Sequence, residues 1–373
     1  MSYLKMVIVL VGVALVVLVG YKIIHYAKIP VVEEIPLVVM RDDLQEDRMA
    51  YTYETPYEHR SYMEQFVWGN GSISYLDRGA LTGEVIVLLH GTPTSSRMYR
   101  SVIRGLIDRG YRVIVPDMPW YGLTAQLQLT DPSIQTYTTA LSMLLTHVGV
   151  DQYVLAGHDI GTLWMRNTAL RLPQAVTHLI VFNGLVTESA FTPPLWFEHP
   201  TIVSKLLTRA VRSSFLSKQL MKQILRGGGV TAKLFSPETI EGYVLPFLAW
   251  AKYSYMYFVS TMSDTYEFLD ILESNIPKLA GIRTMVLRGT QDTVLQAETA
   301  LPFLEKHLSL SQRDIHLFED AGHYLIEQKP DEIVQHIDAF LKTYYDEERT
   351  KNTEQWIRRN PWPEMEINPT EEL

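Results

Sequence analysis

Short apolar runs alternate along the chain with stretches whose apolar residues recur every three or four positions. The runs are Val85–Gly91 (VIVLLHG), Tyr111–Asp117 (YRVIVPD), Tyr153–Gly157 (YVLAG), His178–Gly184 (HLIVFNG), Thr284–Gly289 (TMVLRG) and Asp314–Asp320 (DIHLFED). Short, nearly continuous apolar runs rich in Val, Ile and Leu predict strands buried on both faces. The helical repeat is clearest at Ile134, Tyr137, Leu141, Leu144 and Val148. Further helices are predicted near 97–109, over 160–172, near 296–307 and over 331–343. Phe66–Trp68 and Ser72–Leu76 flank Gly69-Asn70-Gly71, a hairpin signal. Alternating strands and helices predict an α/β fold, a mostly parallel sheet with helices on both faces.

The rhythm breaks over 187–280, which is rich in Pro and aromatic residues and reads as a helical cap inserted between two strands. It divides the core into 61–186 and 281–346. A cap there would lie over the carboxyl ends of the strands, where such sheets bind ligands. Before the core, Met6 to Ile24 is almost entirely apolar and 19 residues long, with Lys22 its only charge. That length approaches the roughly 20 residues a bilayer crossing needs. Residues 1–28 are therefore expected to be an uncleaved transmembrane anchor, because no small-residue cleavage site follows the run. Lys22 and Lys28 after the span, against Lys5 before it, favour a cytoplasmic domain. Residues 29–60 read as a solvated linker with Pro30, Pro36 and Pro56, and 347–373 as a polar tail.

Composition narrows the chemistry. At 47% hydrophobic and 20% charged, 373 residues can bury a large core, so disorder is excluded. The net charge of −9 without a basic cluster argues against nucleic acid. The absence of cysteine removes thiolate metal sites, disulfides and a Cys nucleophile. No metal, nucleotide or redox cofactor is implied.

The sharpest motif is Gly157-His158-Asp159-Ile160-Gly161, placed after one predicted strand and before a helix. It has the spacing of a nucleophile elbow, G-x-S-x-G, with Asp where Ser usually stands. The turn would push Asp159 out over the sheet edge at a helix N-terminus, where free N–H groups and positive potential favour an anion. Asp292 in Gly-Thr-Gln-Asp and His323 in Ala-Gly-His follow two later strands, in the chain order nucleophile, acid, histidine. His90-Gly91-Thr92-Pro93 follows the strand 85–89, the place from which a second oxyanion N–H is supplied.

With these four segments the chain resembles the α/β-hydrolase fold, and within it the epoxide hydrolase and haloalkane dehalogenase branch. The likeness runs from about Phe66 to about Tyr344 through LLHGTPTSSRMYR, VIVPDMPWYG, LAGHDIG, LIVFNG, GYVLPF, VLRGTQD and EDAGHYLIEQKPDEI. The resemblance implies Asp159 as nucleophile, Asp292 as the acid, His323 as the base, and the backbone N–H groups of Thr92 and Ile160 as the oxyanion hole. A carboxylate is already ionised at neutral pH and suits attack on a saturated carbon bearing a leaving group. His323 would then activate water against the resulting ester.

The departures bear on the leaving group. Dehalogenases of this branch usually carry Trp after the nucleophile and Asn or Glu after the His-Gly pair; here Ile160 and Thr92 stand there. Epoxide hydrolases protonate the epoxide oxygen with cap tyrosines, and Tyr243 and Tyr257 are the candidates. Trp120 occupies a position where the family usually has Gly. The expectation is a membrane-anchored hydrolase that opens epoxides of a hydrophobic small molecule with water as co-substrate. The alternatives are hydrolytic dehalogenation and a non-catalytic scaffold. His158-Asp159 also matches the metal-binding pair of HD-type phosphohydrolases, but that fold is all-helical, and His158 reads as a packing or hydrogen-bonding residue.

Overall fold

The computed structural model describes residues 62–69, 71–126, 133–190, 219, 224, 235–244, 269–308 and 310–343. They form an eight-stranded sheet in the order β1-β2-β4-β3-β5-β6-β7-β8. Its strands are β1 Glu64–Trp68, β2 Gly71–Arg78, β3 Val85–Leu89, β4 Arg112–Pro116, β5 Tyr153–Asp159, β6 Val176–Gly184, β7 Arg283–Gly289 and β8 Ile315–Phe318. The helices that lie wholly within the described residues around the sheet include α1 Arg100–Ile107, α2 Ile134–His147, α3 Gly161–Arg171, α4 Ala297–His307, α5 Leu325–Gln328 and α6 Pro330–Lys342. Only the β1–β2 hairpin and the β2–β4 pair are antiparallel. Buried Arg112 fastens that second pair by donating to both Asp77 carboxylate oxygens, at 2.9 and 2.7 Å.

Period-two alternation decides which face each strand residue serves. Ile86, Leu88, Val154 and Ala156 join the apolar layer that holds α1 and α6. Val85, Val87, Leu89, Tyr153 and Leu155 join the layer that holds α2, α3 and α4. Helix α6 shows how the sequence specifies such a layer. Pro330 opens it, Asp331 and Glu332 complement its N-terminal dipole, and Ile333, Val334, Ile337, Phe340 and Leu341 form its buried stripe.

The chain leaves central β3 toward β4 on one side and later returns to place β5 on the other. The crevice where the order reverses lies at the carboxyl ends of β3 and β5. Most of the proposed cap at 187–280, the linker and the tail lie outside the described residues. That segment does enter between β6 and β7, which are paired neighbours.

The expected membrane localisation is corrected. Among the described residues no helix is long and apolar enough to cross a membrane. Their strongest apolar runs are instead strands of five to nine residues enclosed by helices. The run from Met6 to Ile24, on which the expectation of an anchor rested, lies outside the described residues.

Candidate active site

Only Ile160 separates the end of β5 at Asp159 from the start of α3 at Gly161. So tight a turn puts Asp159 at φ 54°, a left-handed backbone that residues with side chains seldom adopt. Its carbonyl is held by the Thr162 hydroxyl at 2.5 Å and the Leu185 N–H at 3.1 Å. Gly91 makes room for it, since a Cβ there would stand 2.4 Å from the Asp159 Cβ.

Of the two N–H groups named from the sequence, that of Thr92 reaches the Asp159 carboxylate and that of Ile160 follows it in the elbow turn. Thr92 N–H donates to Oδ1 at 3.0 Å, and the Ile160 N–H, next in the chain to Asp159, lowers the proton affinity of the same carboxyl. Burial raises the Asp159 carboxyl above its ordinary range, against the lowering effect of His323 and these two donors.

Asp159, Asn183, Asp292 and His323 lie at or just beyond the ends of four neighbouring strands, β5 to β8. His323 Nε2 stands 3.5 Å from Asp159 Oδ2, and its Nδ1 is 3.0 Å from Asp292 Oδ2. With a carboxylate as partner, Nδ1 carries the proton and donates it, which leaves Nε2 free to act as a base toward Asp159 and whatever is bonded to it. Burial alone would raise Asp292. The positive charge and hydrogen bond of His323, Asn183 Nδ2 at 2.5 Å and the Leu295 N–H at 3.0 Å outweigh it and hold Asp292 at about 2. Buried Arg288 adds a positive charge 4.0 Å away. Burial lowers His323, but the charges of Asp292 and Asp159 prevail and raise it above the ordinary imidazole value.

His158 does what the sequence suggested. Its Nε2–H donates to the His323 backbone carbonyl at 2.8 Å, and burial with the neighbouring His323 charge lowers it to about 3, so it stays neutral. His90 is neutral too, lowered by burial to about 4; its Nδ1–H donates to the Gly91 carbonyl and its Nε2 accepts the Met118 N–H. Trp120 takes φ 67° at 2% exposure and meets the Tyr137 ring edge-on at 5.4 Å.

The cap candidates fare differently from the core residues. Buried Tyr243 spends its hydroxyl on Glu327, which is also the ion-pair partner of Arg100. The structure therefore assigns that hydroxyl to an ion pair rather than to Asp159. Tyr257 lies outside the described residues.

Sequence reasoning missed two residues. Asn183, at φ 39°, donates to Asp292 while its Oδ1 accepts the Gly289 N–H at 3.1 Å, so one amide couples β6 to both β7 and the carboxylate. An amide at the end of an otherwise apolar strand was the available signal. Tyr324 sits directly after His323, its ring edge-on to the imidazole at 5.0 Å.

A carboxylate at a strand-to-helix elbow, faced by a histidine that a second carboxylate orients beyond the last strand, defines the class. The chain belongs to the Alpha/beta hydrolase family, whose model matches residues 86–336. Among curated relatives it is 28% identical to a cis-3-alkyl-4-alkyloxetan-2-one decarboxylase of Shewanella oneidensis, over 75% of this chain and 88% of that one. It is 24% identical to haloalkane dehalogenase 2 of Mycobacterium tuberculosis, over 79% and 97% respectively. Among solved structures, Cfl2 of Burkholderia cenocepacia superposes with a TM-score of 0.61 at 18% identity, covering 74% of this chain and 95% of that one. The epoxide hydrolase CorEH follows at 0.56 and 20%, covering 75% and 98%. At those identities the structural likeness speaks for the fold alone.

Proposed function

We propose that this chain hydrolyses strained cyclic ethers, epoxides first among them, through an alkyl ester on Asp159. The observation that carries the reading is the Asp159 carboxylate with the Thr92 N–H on Oδ1 and His323 Nε2 3.5 Å from Oδ2. Asp159 Oδ2 attacks a ring carbon, the ring C–O bond breaks, and the freed oxygen takes up a proton. His323 then draws a proton from water as that water adds to the ester carbonyl. The oxyanion forms between the N–H groups of Thr92 and Ile160, each donor contributing about 2.7–4 kcal/mol. Collapse releases the diol and restores the carboxylate.

The side chains beside Asp159 favour oxygen over halide as the leaving group. Ile160 has no donor, and Thr92 offers only a hydroxyl, paired with the Tyr121 hydroxyl at 2.6 Å. One relative is named for decarboxylating an oxetan-2-one, a substrate that also carries a strained oxygen-containing ring. The second reading is hydrolytic dehalogenation, favoured by the relatives named as dehalogenases.

Full-length protein carrying His323→Gln tests both. The change blocks hydrolysis and leaves Asp159 able to attack, so the ester accumulates. Incubation with epoxides should add the mass of the whole epoxide, and the gain should vanish when Asp159→Ala is added. A gain equal to an alkyl halide less its hydrogen halide moves the assignment to dehalogenation. A folded protein that gains no mass from either panel sinks the alkyl-ester reading.

A further inference from the structure

A ring oxygen that leaves carbon becomes an alkoxide, and an alkoxide leaves poorly unless a proton reaches it. The residue that supplies this proton must bring a hydroxyl or another acidic group close to Asp159. Tyr243 does not, because its hydroxyl is committed to Glu327. The Tyr121 hydroxyl shares a hydrogen bond with the Thr92 hydroxyl at 2.6 Å, so it has a partner already.

Tyr324 is different. It is 2% exposed, and its ring is fixed edge-on against His323 at 5.0 Å and against Phe235 at 5.9 Å, with His158 at 6.1 Å. Among the described residues its hydroxyl has no hydrogen-bond partner. The residue is buried, but its hydroxyl is not among the sealed, unpartnered polar atoms, so it can take a ligand or water as its partner. The edge-on contact of its ring with His323, the proposed base, sets Tyr324 beside the reacting assembly.

We propose that Tyr324 is the proton donor to the leaving oxygen, an inference that rests on the Asp159 alkyl-ester reading. As the Asp159–carbon bond forms and the ring C–O bond breaks, the electron pair of that bond goes to the ring oxygen. The phenolic proton of Tyr324 passes to this oxygen and leaves a tyrosinate. When the ester is later hydrolysed, His323 takes one water proton and returns it to the departing alcohol oxygen. The second water proton is left on the Asp159 carboxyl and goes back to Tyr324 through solvent. One water is consumed and no net proton is gained or lost.

The electrostatics time the transfer. Burial foremost, then the negative charge of Asp159, raise the Tyr324 hydroxyl, so the phenol keeps its proton while the carboxylate is free. Ester formation removes the Asp159 charge. The phenol becomes a better acid at the moment the leaving oxygen becomes a base.

The test measures how fast the ester forms in full-length His323→Gln protein, by intact mass, with and without Tyr324→Phe. The substrates are styrene oxide, whose oxygen needs a proton, and 2-phenylethyl bromide, whose bromide does not. Tyr324→Phe removes one oxygen and keeps the ring on His323 and Phe235. It should slow the epoxide adduct on the order of 100-fold, within the usual range for general acid catalysis, and leave the bromide adduct within about 3-fold. Tyr153→Phe is the control for loss of a buried hydroxyl as such. Among the described residues the Tyr153 hydroxyl is buried without a partner, and the residue lies at the opposite end of β5. That change should leave epoxide alkylation intact.

Equal slowing with both substrates, equal slowing in Tyr153→Phe, or no slowing at all overturns the assignment to Tyr324 while Asp159 stands. A parent protein alkylated by the bromide alone overturns it too. A parent alkylated by neither substrate overturns the Asp159 reading itself, and this inference with it.

Discussion

His323 lies between two carboxylates, and its proton affinity depends on whether both are charged. In the free protein Asp292 and Asp159 together raise it. In the proposed ester Asp159 is neutral and that contribution is gone, so His323 should give up its proton more readily when it is needed as a base. The sign for activity follows. Hydrolysis needs neutral His323 and fails as pH falls through its pKa, whereas protonated His323, 3.5 Å from Asp159, helps keep the carboxylate ionised for attack. The wild-type protein turning over an epoxide should therefore carry a growing fraction of ester as the pH is lowered. The inflection should lie below the free-protein titration of His323. Acid-quenched intact mass across pH measures this, and a fraction that does not change with pH would count against His323 as the hydrolytic base. At this scale Asp159, Asp292, His323, Thr92 and Ile160 were legible because each follows a strand in a short motif. Asn183 and Tyr324 were not, since their relations cross from one strand end to another. Trp120 was legible only as a departure. Its left-handed backbone explains why glycine suits the position, at a cost of about 1–3 kcal/mol. Burial of the indole ring against Tyr137 offsets it.

The elbow works because β3, β5 and α3 approach more closely than side chains allow. A Cβ on Gly161 would stand 2.5 Å from the His90 carbonyl oxygen and 2.6 Å from that of Leu89, both backbone atoms of the segment that carries the Thr92 N–H. Neither can swing aside as a long side chain could. Gly161→Ala should thus push α3 away from the end of β3 and separate the Ile160 and Thr92 donors. We expect a stability loss of about 1–3 kcal/mol, the usual cost of overpacking. We also expect slower ester hydrolysis than the stability loss accounts for. Chemical denaturation and the decay of a preformed adduct measure the two separately, and hydrolysis at the wild-type rate would show that the donors do not depend on this contact. The elements themselves were highly legible. Each predicted core strand from 85 onward ends within two residues of the observed one, because apolar runs and helical repeats report local periodicity. Periodicity does not state which strand pairs with which. The central place of β3 and the buried Asp77–Arg112 pair between β2 and β4 emerge only from tertiary packing.

Across the whole molecule, the loop that bears His323 and Tyr324 runs directly into α5, and α5 carries Glu327. That carboxylate pairs with Arg100 at the start of α1 and accepts the Tyr243 hydroxyl from the helical stretch 237–244. One nearly buried ion pair therefore ties the first core helix, the segment inserted between β6 and β7, and the loop bearing the base. The side chains are 9% and 5% exposed, so removing one partner leaves a charge largely deprived of water. Such breaks typically cost about 3–5 kcal/mol, whereas replacing both partners with apolar residues is often close to neutral. Glu327→Met should accordingly destabilise the protein by an amount in that range, and Arg100→Met similarly. The double variant should be more stable than either single one, a coupling visible in a denaturation cycle. Glu327→Met should also slow ester hydrolysis, because the segment after His323 loses its anchor, and Arg100→Met/Glu327→Met should recover stability without recovering that rate. Stability changes that simply add in the double variant would mean that Arg100 and Glu327 act independently. Full recovery of hydrolysis along with stability would mean that the ion pair supports the fold without positioning the base.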